Sequence, residues 1–312
     1  MLLFLCLLLQ QAPTLTPAGS LDLEDGDRRA LAVSVKGKYL VLGEPDRLRI
    51  LDAETLAAKK DLVLRWTAFG FDDRDERLLV VGDEAIVFRT VDWAVQTRAR
   101  LPDAAFVEAR VPDGLGTDIM KNRGLRPGQA LVLPDLDFYY CAAAGGLTVG
   151  SFTEGKLDAK PMNLKSDFRI SRVFAQLPTV LLLGIENNVK AAIALRGSVS
   201  YLVGCDTPFF AADLGSSVVC VGAEDEVLYS RSTWRVTAVR KAEGTTCAAV
   251  DGTSGWVFLG DGKGLRGWSA EKFAAPVRFD AIKERVLHLA VDAPRRTLFS
   301  LERKVLRRWK LG

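Results

Sequence analysis

The feature that most constrains this chain is an internal repeat with a period of about 39 residues. In each unit an apolar strand ends in a small residue, a short polar turn follows, and a second strand leaves the turn. The small residues that mark the units are Gly43, Gly82, Gly145, Gly184, Gly222, Gly260 and Ser300, with spacings of 39, 63, 39, 38, 38 and 40 residues. Such a regular period is typical of repeat architectures. The one long spacing indicates an insertion of about 24 residues between the second and third units.

Strand-like segments also stand on both sides of each marker strand. In the first unit, Ala30–Ser34 precedes the marker strand and Arg47–Leu51 follows the turn. Four short strands in about 40 residues are typical of a β-propeller blade. Helical solenoids are excluded because no segment sustains apolar residues at spacings of three and four. Seven markers predict an all-β fold of seven blades, and six or eight blades are the alternatives if the irregular third unit around Asp135–Tyr140 is misread.

The last unit ends at Gly312, soon after its third strand, Val305–Trp309. A propeller that did not close its ring would expose sheet edges that invite aggregation. The N-terminal segment Ser20–Glu24 can supply the missing outer strand of this unit. We therefore expect residues 19–312 to form a seven-bladed β-propeller of four-stranded antiparallel blades, closed by an N-terminal strand.

The marker turns and the third strands that end in tryptophan, Leu265–Trp268 and Leu306–Trp309, carry a family resemblance. Over about 290 residues the chain resembles the WD-repeat-like (quinoprotein/YVTN-like) β-propeller superfamily. WD repeats carry a Gly-His pair before the first strand and a Trp-Asp pair after the third. Here no Gly-His pair occurs, and Ser269 and Lys310 follow the two tryptophans. The hydrogen-bonded tetrad that the resemblance implies is therefore not expected, and apolar packing should hold the blades together.

The N-terminus begins with an apolar run, Met1–Leu9, that is less than half as long as a membrane-spanning helix. It is typical of the apolar core of a signal peptide, with Ala18 as the small residue before cleavage. No Lys or Arg precedes the run, so a ragged apolar start on a cytoplasmic protein is the alternative. We expect residues 1–18 to direct export to the periplasm or the extracellular space.

Four cysteines follow this leader: Cys141, Cys205, Cys220 and Cys247. Export would permit a disulfide among them, and the sequence does not decide whether one forms. Most of their neighbours are small or apolar, which is typical of buried thiols. No Cys-x-x-Cys pair occurs, so a zinc site is not expected.

The composition argues against most enzyme chemistry. The only histidine, His288, lies in the predicted inner strand Val286–Val291, where a structural role is favoured over a catalytic one. No Gly-x-Ser-x-Gly nucleophile motif occurs, and the acidic clusters lack calcium-loop spacing. We therefore expect a non-enzymatic protein with no cofactor and no metal. The alternative is an extracytoplasmic hydrolase or lyase that uses carboxylates at the channel mouth on a sugar or lactone, because paired carboxylates need no histidine.

The charges point to proteins as partners. The chain has 42 Lys and Arg against 39 Asp and Glu, and no basic stripe interleaved with aromatic residues, so nucleic acid is not expected. In a propeller the turns after the markers all lie on one face, and here they are acidic. The candidate binding residues in these turns are Glu44, Asp46, Asp83, Glu84, Glu186, Glu224, Asp225 and Asp261. Their field would steer a basic partner, although acidic residues also favour hairpin turns for conformational reasons.

The insertion at about residues 103–128 is rich in turn-forming residues and has no strand period. We hypothesise that this loop folds over the channel mouth, where Lys121, Arg123 and Arg126 meet the acidic turns. A disordered loop is the alternative. The sequence thus predicts an exported, monomeric propeller that binds or scaffolds other proteins and has no stable membrane span.

Overall fold

The computed structural model describes residues 12–24, 30–101, 130–133, 135–141, 147–162, 168–176, 179–186, 189–195, 201–202, 208–222, 225–233, 235–242, 244–270, 273 and 275–312. These residues form strands, turns and bends, and no helix occurs among them. The prediction of an all-β chain is confirmed. The predicted loop at 103–128 lies outside the described residues.

The strands along the chain are β1 (Leu15–Asp22), β2 (Ala30–Val33), β3 (Tyr39–Glu44), β4 (Arg47–Asp52), β5 (Ala58–Val63), β6 (Ala68–Phe71), β7 (Arg77–Val81), β8 (Glu84–Arg89), β9 (Val95–Arg100), β10 (Ala130–Val132), β11 (Phe138–Cys141), β12 (Leu147–Thr153), β13 (Lys156–Met162), β14 (Phe168–Gln176), β15 (Thr179–Glu186), β16 (Val189–Leu195), β17 (Tyr201–Leu202), β18 (Pro208–Asp213), β19 (Ser217–Gly222), β20 (Asp225–Ser230), β21 (Val236–Lys241), β22 (Cys247–Asp251), β23 (Trp256–Asp261), β24 (Gly264–Ser269), β25 (Val277–Phe279), β26 (His288–Asp292), β27 (Thr297–Leu301) and β28 (Val305–Leu311).

The chain divides into two compact units. The central unit spans Gly26–Glu243, and the terminal unit combines Met1–Asp25 with Gly244–Gly312. The described residues of the central unit form five four-stranded antiparallel sheets, β2–β5, β6–β9, β10–β13, β14–β17 and β18–β21. Those of the terminal unit form two, β22–β25 and a sheet with the order β1-β28-β27-β26. The marker strands of the sequence repeat fall on the second strands of these sheets, and in the third unit the described part of the marker strand is Tyr140 and Cys141, at the end of β11.

In the central unit, β7 shows how the second strand of a sheet is buried on both faces. Along β7, Leu78 and Val80 pack with residues of β3 and β4 on one side. The alternate residues Leu79 and Val81 pack on the other side with residues around β11. Because successive strand residues point to opposite faces, one unbroken apolar run fills two cores, which is why the marker strands lack polar alternation.

The terminal unit has the same kind of core between its two sheets. Trp256 and Phe258 of β23 pack with Leu298 of β27 and Trp309 of β28. A buried polar contact accompanies this packing, because Trp309 Nε1 donates a hydrogen bond of 2.9 Å to Ser300 Oγ. The sheet is therefore held by a buried Trp–Ser hydrogen bond as well as by apolar contacts, which the expectation of purely apolar stabilisation missed.

The N-terminal strand pairs with the last strand of the chain, as the open final unit required. Strand β1 runs antiparallel to β28 from Leu15 opposite Leu311 to Asp22 opposite Val305. The predicted pairing segment was Ser20–Glu24, so the observed strand begins five residues earlier. Its first four residues belong to the segment that the sequence analysis assigned to the leader.

A polar tie joins the first two sheets of the central unit. Asp75, in the turn between β6 and β7, is buried and accepts a 2.5 Å hydrogen bond from Ser34 Oγ. The same carboxylate accepts hydrogen bonds from the backbone N–H groups of Lys36 and Lys38, at 3.1 and 3.3 Å. Asp75 has a φ of 59°, a conformation that aspartate tolerates better than most residues. The side chain of one turn thus satisfies the backbone of the neighbouring sheet.

Replacing Asp75 should therefore destabilise the protein. We expect Asp75→Ala to cost about 2 kcal/mol, because it leaves buried donors of Ser34 and its turn without their acceptor. Asp75→Asn should cost less, since the amide oxygen still accepts. Asp73→Ala, at an exposed position in the same turn, should cost less than about 0.5 kcal/mol. Denaturant unfolding compares the three variants, and equal stability of Asp75→Ala and Asp73→Ala would contradict the tie.

Candidate functional site

The predicted acidic residues lie on hairpins between the second and third strands of the sheets. In the central unit, Glu44 and Asp46 lie on the β3–β4 hairpin, Asp83 and Glu84 on the β7–β8 hairpin, and Asp225 begins β20. In the terminal unit, Asp261 ends β23. Glu186 ends β15, where only its backbone is described. Glu224, Lys121, Arg123 and Arg126 lie outside the described residues, so their predicted roles stay predictions.

Three hairpin acids share one arrangement that the sequence analysis missed. Each is followed five residues later by an arginine on the third strand, in the pattern acid-x-x-x-Leu-Arg. The ion pairs are Glu44–Arg49 at 3.8 Å, Asp261–Arg266 at 3.6 Å and Glu302–Arg307 at 3.4 Å. Diagonal cross-strand positions lie within reach of a long side chain, so the hairpin register alone brings acid and arginine together. The spacing is visible in the sequence and could have been found there.

The Glu44 pair is part of a wider network on the first sheet. Arg47 Nε donates a hydrogen bond of 2.7 Å to Glu44 Oε2, and this bond raises the pKa of the Arg47 guanidinium above its ordinary value. Arg47 and Arg49 also approach Asp61 on β5, at 3.6 and 3.8 Å. Two arginines therefore neutralise two carboxylates at this hairpin.

Other hairpin acids take their partners from the fourth strand. Arg240 of β21 reaches the buried Glu226 at 2.7 Å, Arg98 of β9 reaches Glu84 at 3.6 Å, and Lys241 reaches Asp225 at 3.8 Å. Arg278 of β25 adds a 3.1 Å contact to Asp261. Most of the described acids that were expected to attract a partner are thus ion-paired within their own sheets. Asp46 and Asp83 differ in being exposed on their hairpins.

The segment that connects the first two sheets lies between these two exposed carboxylates. The Leu64 N–H donates to the Asp46 carbonyl at 2.9 Å, and the Thr67 N–H donates to the Val81 carbonyl at 2.7 Å. The Trp66 indole N–H donates to the Glu44 carbonyl at 2.5 Å. Hydrogen bonds to both hairpins therefore fix residues 64–67 in place.

Two glycines allow the close approach. A Cβ atom on Gly43 would lie 2.5 Å from Cζ2 of Trp66, and one on Gly82 would overlap the carbonyl oxygen of Arg65. The result is a surface that presents Asp46, Val63, Arg65, Trp66 and Asp83, which we call the linker surface. Val63 is 80% exposed, Arg65 is exposed and Trp66 is half-buried. Aromatic and arginine side chains next to apolar area are the composition that energetically important interface residues favour.

The remaining candidates are the histidine and the cysteines. His288 is the first residue of β26, in agreement with its predicted strand position. Cys247 is buried against Val286, and burial raises the pKa of its thiol to about 12, so it stays protonated and unreactive. Cys220 is buried, Cys205 lies outside the described residues, and only the backbone of Cys141 is described.

Within the described part of the chain, no three His, Cys, Asp or Glu side chains come together as a metal site would require. Over the same residues, no helix is long and apolar enough to cross a membrane.

Comparison with known proteins shows which solved structures have a similar fold. No protein-family model matches the chain, and no curated protein matches its sequence. Among solved structures, the Cps50 (Swd1) β-propeller domain of Myceliophteria thermophila is similar with a TM-score of 0.70 at 12% identity, over 96% of this chain and 100% of that chain. A chain of the mitotic checkpoint complex is similar with a TM-score of 0.67 at 11% identity, over 95% of this chain and 91% of that chain. The fold is that of a β-propeller, in agreement with the fold that the resemblance predicted.

The Glu302–Arg307 pair of the terminal unit predicts that the stability of the protein depends on pH. Burial raises the pKa of Glu302 above its ordinary value of 4.5, while Arg307 and a hydrogen bond with Ser300 oppose the shift. The folded protein binds the Glu302 proton more tightly than the unfolded chain does. The contribution of this proton to folding stability is therefore complete below about pH 4.5 and is lost as the pH rises through the pKa of Glu302 in the folded state. The charged form at neutral pH therefore lowers the stability.

We expect Glu302→Gln to raise the Tm at pH 7 by about 2 °C and to give no gain at pH 4. Glu84→Gln, in the more exposed pair with Arg98, should leave the Tm at pH 7 unchanged within about 1 °C. Thermal melts of both variants across this pH range provide the measurement. A loss of stability in Glu302→Gln at pH 7 would show that the Glu302–Arg307 attraction outweighs burial.

Proposed function

We propose that this protein is a non-enzymatic, exported, monomeric propeller that binds another protein through the linker surface. The architecture we propose is a ring of seven blades closed by β1. In support, the described residues form seven four-stranded sheets, and the N-terminal strand completes the sheet that contains the C-terminal strand. Similarity to a β-propeller domain over its full length also supports it. Export is proposed from the apolar run at Met1–Leu9.

The observation that carries the binding proposal is the exposure of the linker surface. An exposed valine and a half-buried tryptophan lie three residues apart, where the Trp66 ring and the backbone of residues 64–67 are fixed by both neighbouring hairpins. A surface that is already rigid loses little conformational entropy when a partner binds. Val63 would add apolar contact area to an indole that is fixed before binding.

The charge of the surface indicates the class of partner. Asp46 and Asp83 are exposed on the two hairpins that flank the linker, and Glu84 is 38% exposed despite its pair with Arg98. Arg65 is the exposed base between them. The two exposed hairpin carboxylates favour a protein segment that combines basic residues with an apolar side chain, while Arg98 and Arg100 of β9 place exposed positive charge next to Glu84. Such charges act mainly on association rate and on specificity. One similar chain belongs to the mitotic checkpoint complex, which agrees with a protein-binding role for this fold.

The alternative of a carboxylate-based hydrolase or lyase is less well supported. Glu44 and Asp261 are buried and ion-paired with arginines of their own sheets. An acid–base pair needs one carboxylate that donates a proton to the substrate and one that accepts a proton or attacks, whereas both of these carboxylates are already in contact with arginines of their own sheets. These two carboxylates therefore fit a structural role better than a catalytic one.

A crosslinking experiment tests where a partner binds. A photo-reactive amino acid at position 63 should give a discrete crosslinked protein when the full chain is irradiated in its native compartment. The same amino acid at Val91 is the control, because Val91 is equally exposed but lies at the opposite end of its sheet, between β8 and β9. Equal crosslinking at both positions, or none at position 63, would reject the linker surface.

Charge reversal tests the chemistry of the partner crosslinked at position 63. Asp46→Lys with Asp83→Lys should weaken its binding by at least about tenfold, with most of the loss in the association rate at low salt. Asp73→Lys changes an exposed charge at the opposite end of the sheet and should leave binding within about twofold. Binding that is unchanged by the double substitution would show that the partner is not selected by basic charge.

A further inference from the structure

The segment before Gly19 is an integral part of the terminal unit. Leu15, Thr16 and Pro17 of β1 lie opposite Leu311, Lys310 and Trp309 of β28. The Gly312 N–H donates a hydrogen bond of 3.0 Å to the Thr14 carbonyl. The Arg308 side chain donates to the Ala18 carbonyl at 2.7 Å. Backbone and side-chain hydrogen bonds thus hold the chain from Thr14 to Ala18.

The same segment closes one side of an apolar core. Ala12 and Leu15 pack against the cluster of β22–β28 that contains Trp309 and Leu311. Trp309 and Leu311 are 3% and 5% exposed with the segment in place. Each large side chain that is returned to water costs about 1.5–3 kcal/mol. Removal of residues 12–18 would therefore uncover core residues as well as a strand edge.

A cut after Ala18 would also disturb the electrostatics. Water would hydrolyse the Ala18–Gly19 bond, leaving a carboxylate on the released leader and an α-ammonium on Gly19. Gly19 lies opposite Arg308 in the β1–β28 ladder, so the new positive charge would be close to the guanidinium that had bonded to Ala18. The cut would replace a hydrogen bond with a repulsion.

We infer that the folded protein keeps residues Ala12–Ala18, and that any cut that releases the leader lies at or before the Gln11–Ala12 bond. This refines the leader boundary that was expected at Ala18 and places it closer to the end of the apolar run at Leu9. The inference rests on the proposed export only in treating residues 1–11 as a leader. The contacts of residues 12–18 are present whether or not the protein is exported.

The intact mass of the protein isolated from its native compartment tests the boundary directly. A first residue at or before Ala12 supports the inference, and a first residue after Ala12, such as Gly19, overturns it. The compartment in which the protein is recovered is a separate result. Recovery in the cytoplasm with the leader attached would reject export while leaving residues 12–18 in the fold.

Matched variants test the contacts without relying on processing. Leu15→Asp places a charge against the Trp309 cluster and should lower the Tm of the full chain by about 10 °C. Thr16→Asp, on the exposed side of the same strand, should change it by less than about 2 °C. A chain lacking residues 2–11 should melt like the full chain, and one lacking residues 2–18 should melt lower or fail to fold. Equal melting of the two aspartate variants would overturn the inference.

Discussion

The structure depends on second strands that are buried on both faces. In β3, β23 and β27 every residue is buried, and in β7 all but the first are. A strand of this kind has no solvent side, so a sheet must pack against each of its faces. Within the central unit, β7 shows the consequence directly, because its alternate residues belong to two different cores. Repetition of one four-stranded unit satisfies this requirement with a single sequence pattern.

When both faces of a sheet are covered by neighbouring sheets, the positions that remain for polar groups are the strand ends and the outer strand. The hairpin acids lie close to buried apolar side chains, where an unpaired carboxylate would be costly. Arginines on the third and fourth strands reach these acids, as in the contacts of Glu44 with Arg49 and of Glu226 with Arg240. A basic outer strand also discourages edge-to-edge association. The arginines of the fourth strands, such as Arg240 on β21, therefore both neutralise the hairpins and protect the sheet edges.

The sequence repeat predicted the strands well because it reports burial, and burial decides where strands form. The same reasoning predicted that Ser20–Glu24 would pair with the last unit, and the pairing with β28 is observed, beginning at Leu15. The boundary was missed because an apolar N-terminus and a small residue at Ala18 match a leader as well as they match an edge strand. The acidic hairpins were interpreted as one open face because the sequence lists charges without their partners. The linker surface was not predicted, since Trp66 and Val63 stand between repeats and follow no period.

The ion-paired charges of this chain belong to the fold, whereas its exposed charges are the ones available to bind a partner. Glu44, Asp261 and Glu302 repeat in the same place because the hairpin register repeats, and their arginines make them part of each sheet. A surface that binds one partner cannot repeat in this way, because several equivalent sites would not select a single orientation. The residues that break the repeat are therefore the better guide to function. Val63 and Trp66 meet this criterion among the described parts of the chain, because they stand between repeats and follow no period, while hydrogen bonds and two close glycine contacts hold residues 64–67 in place.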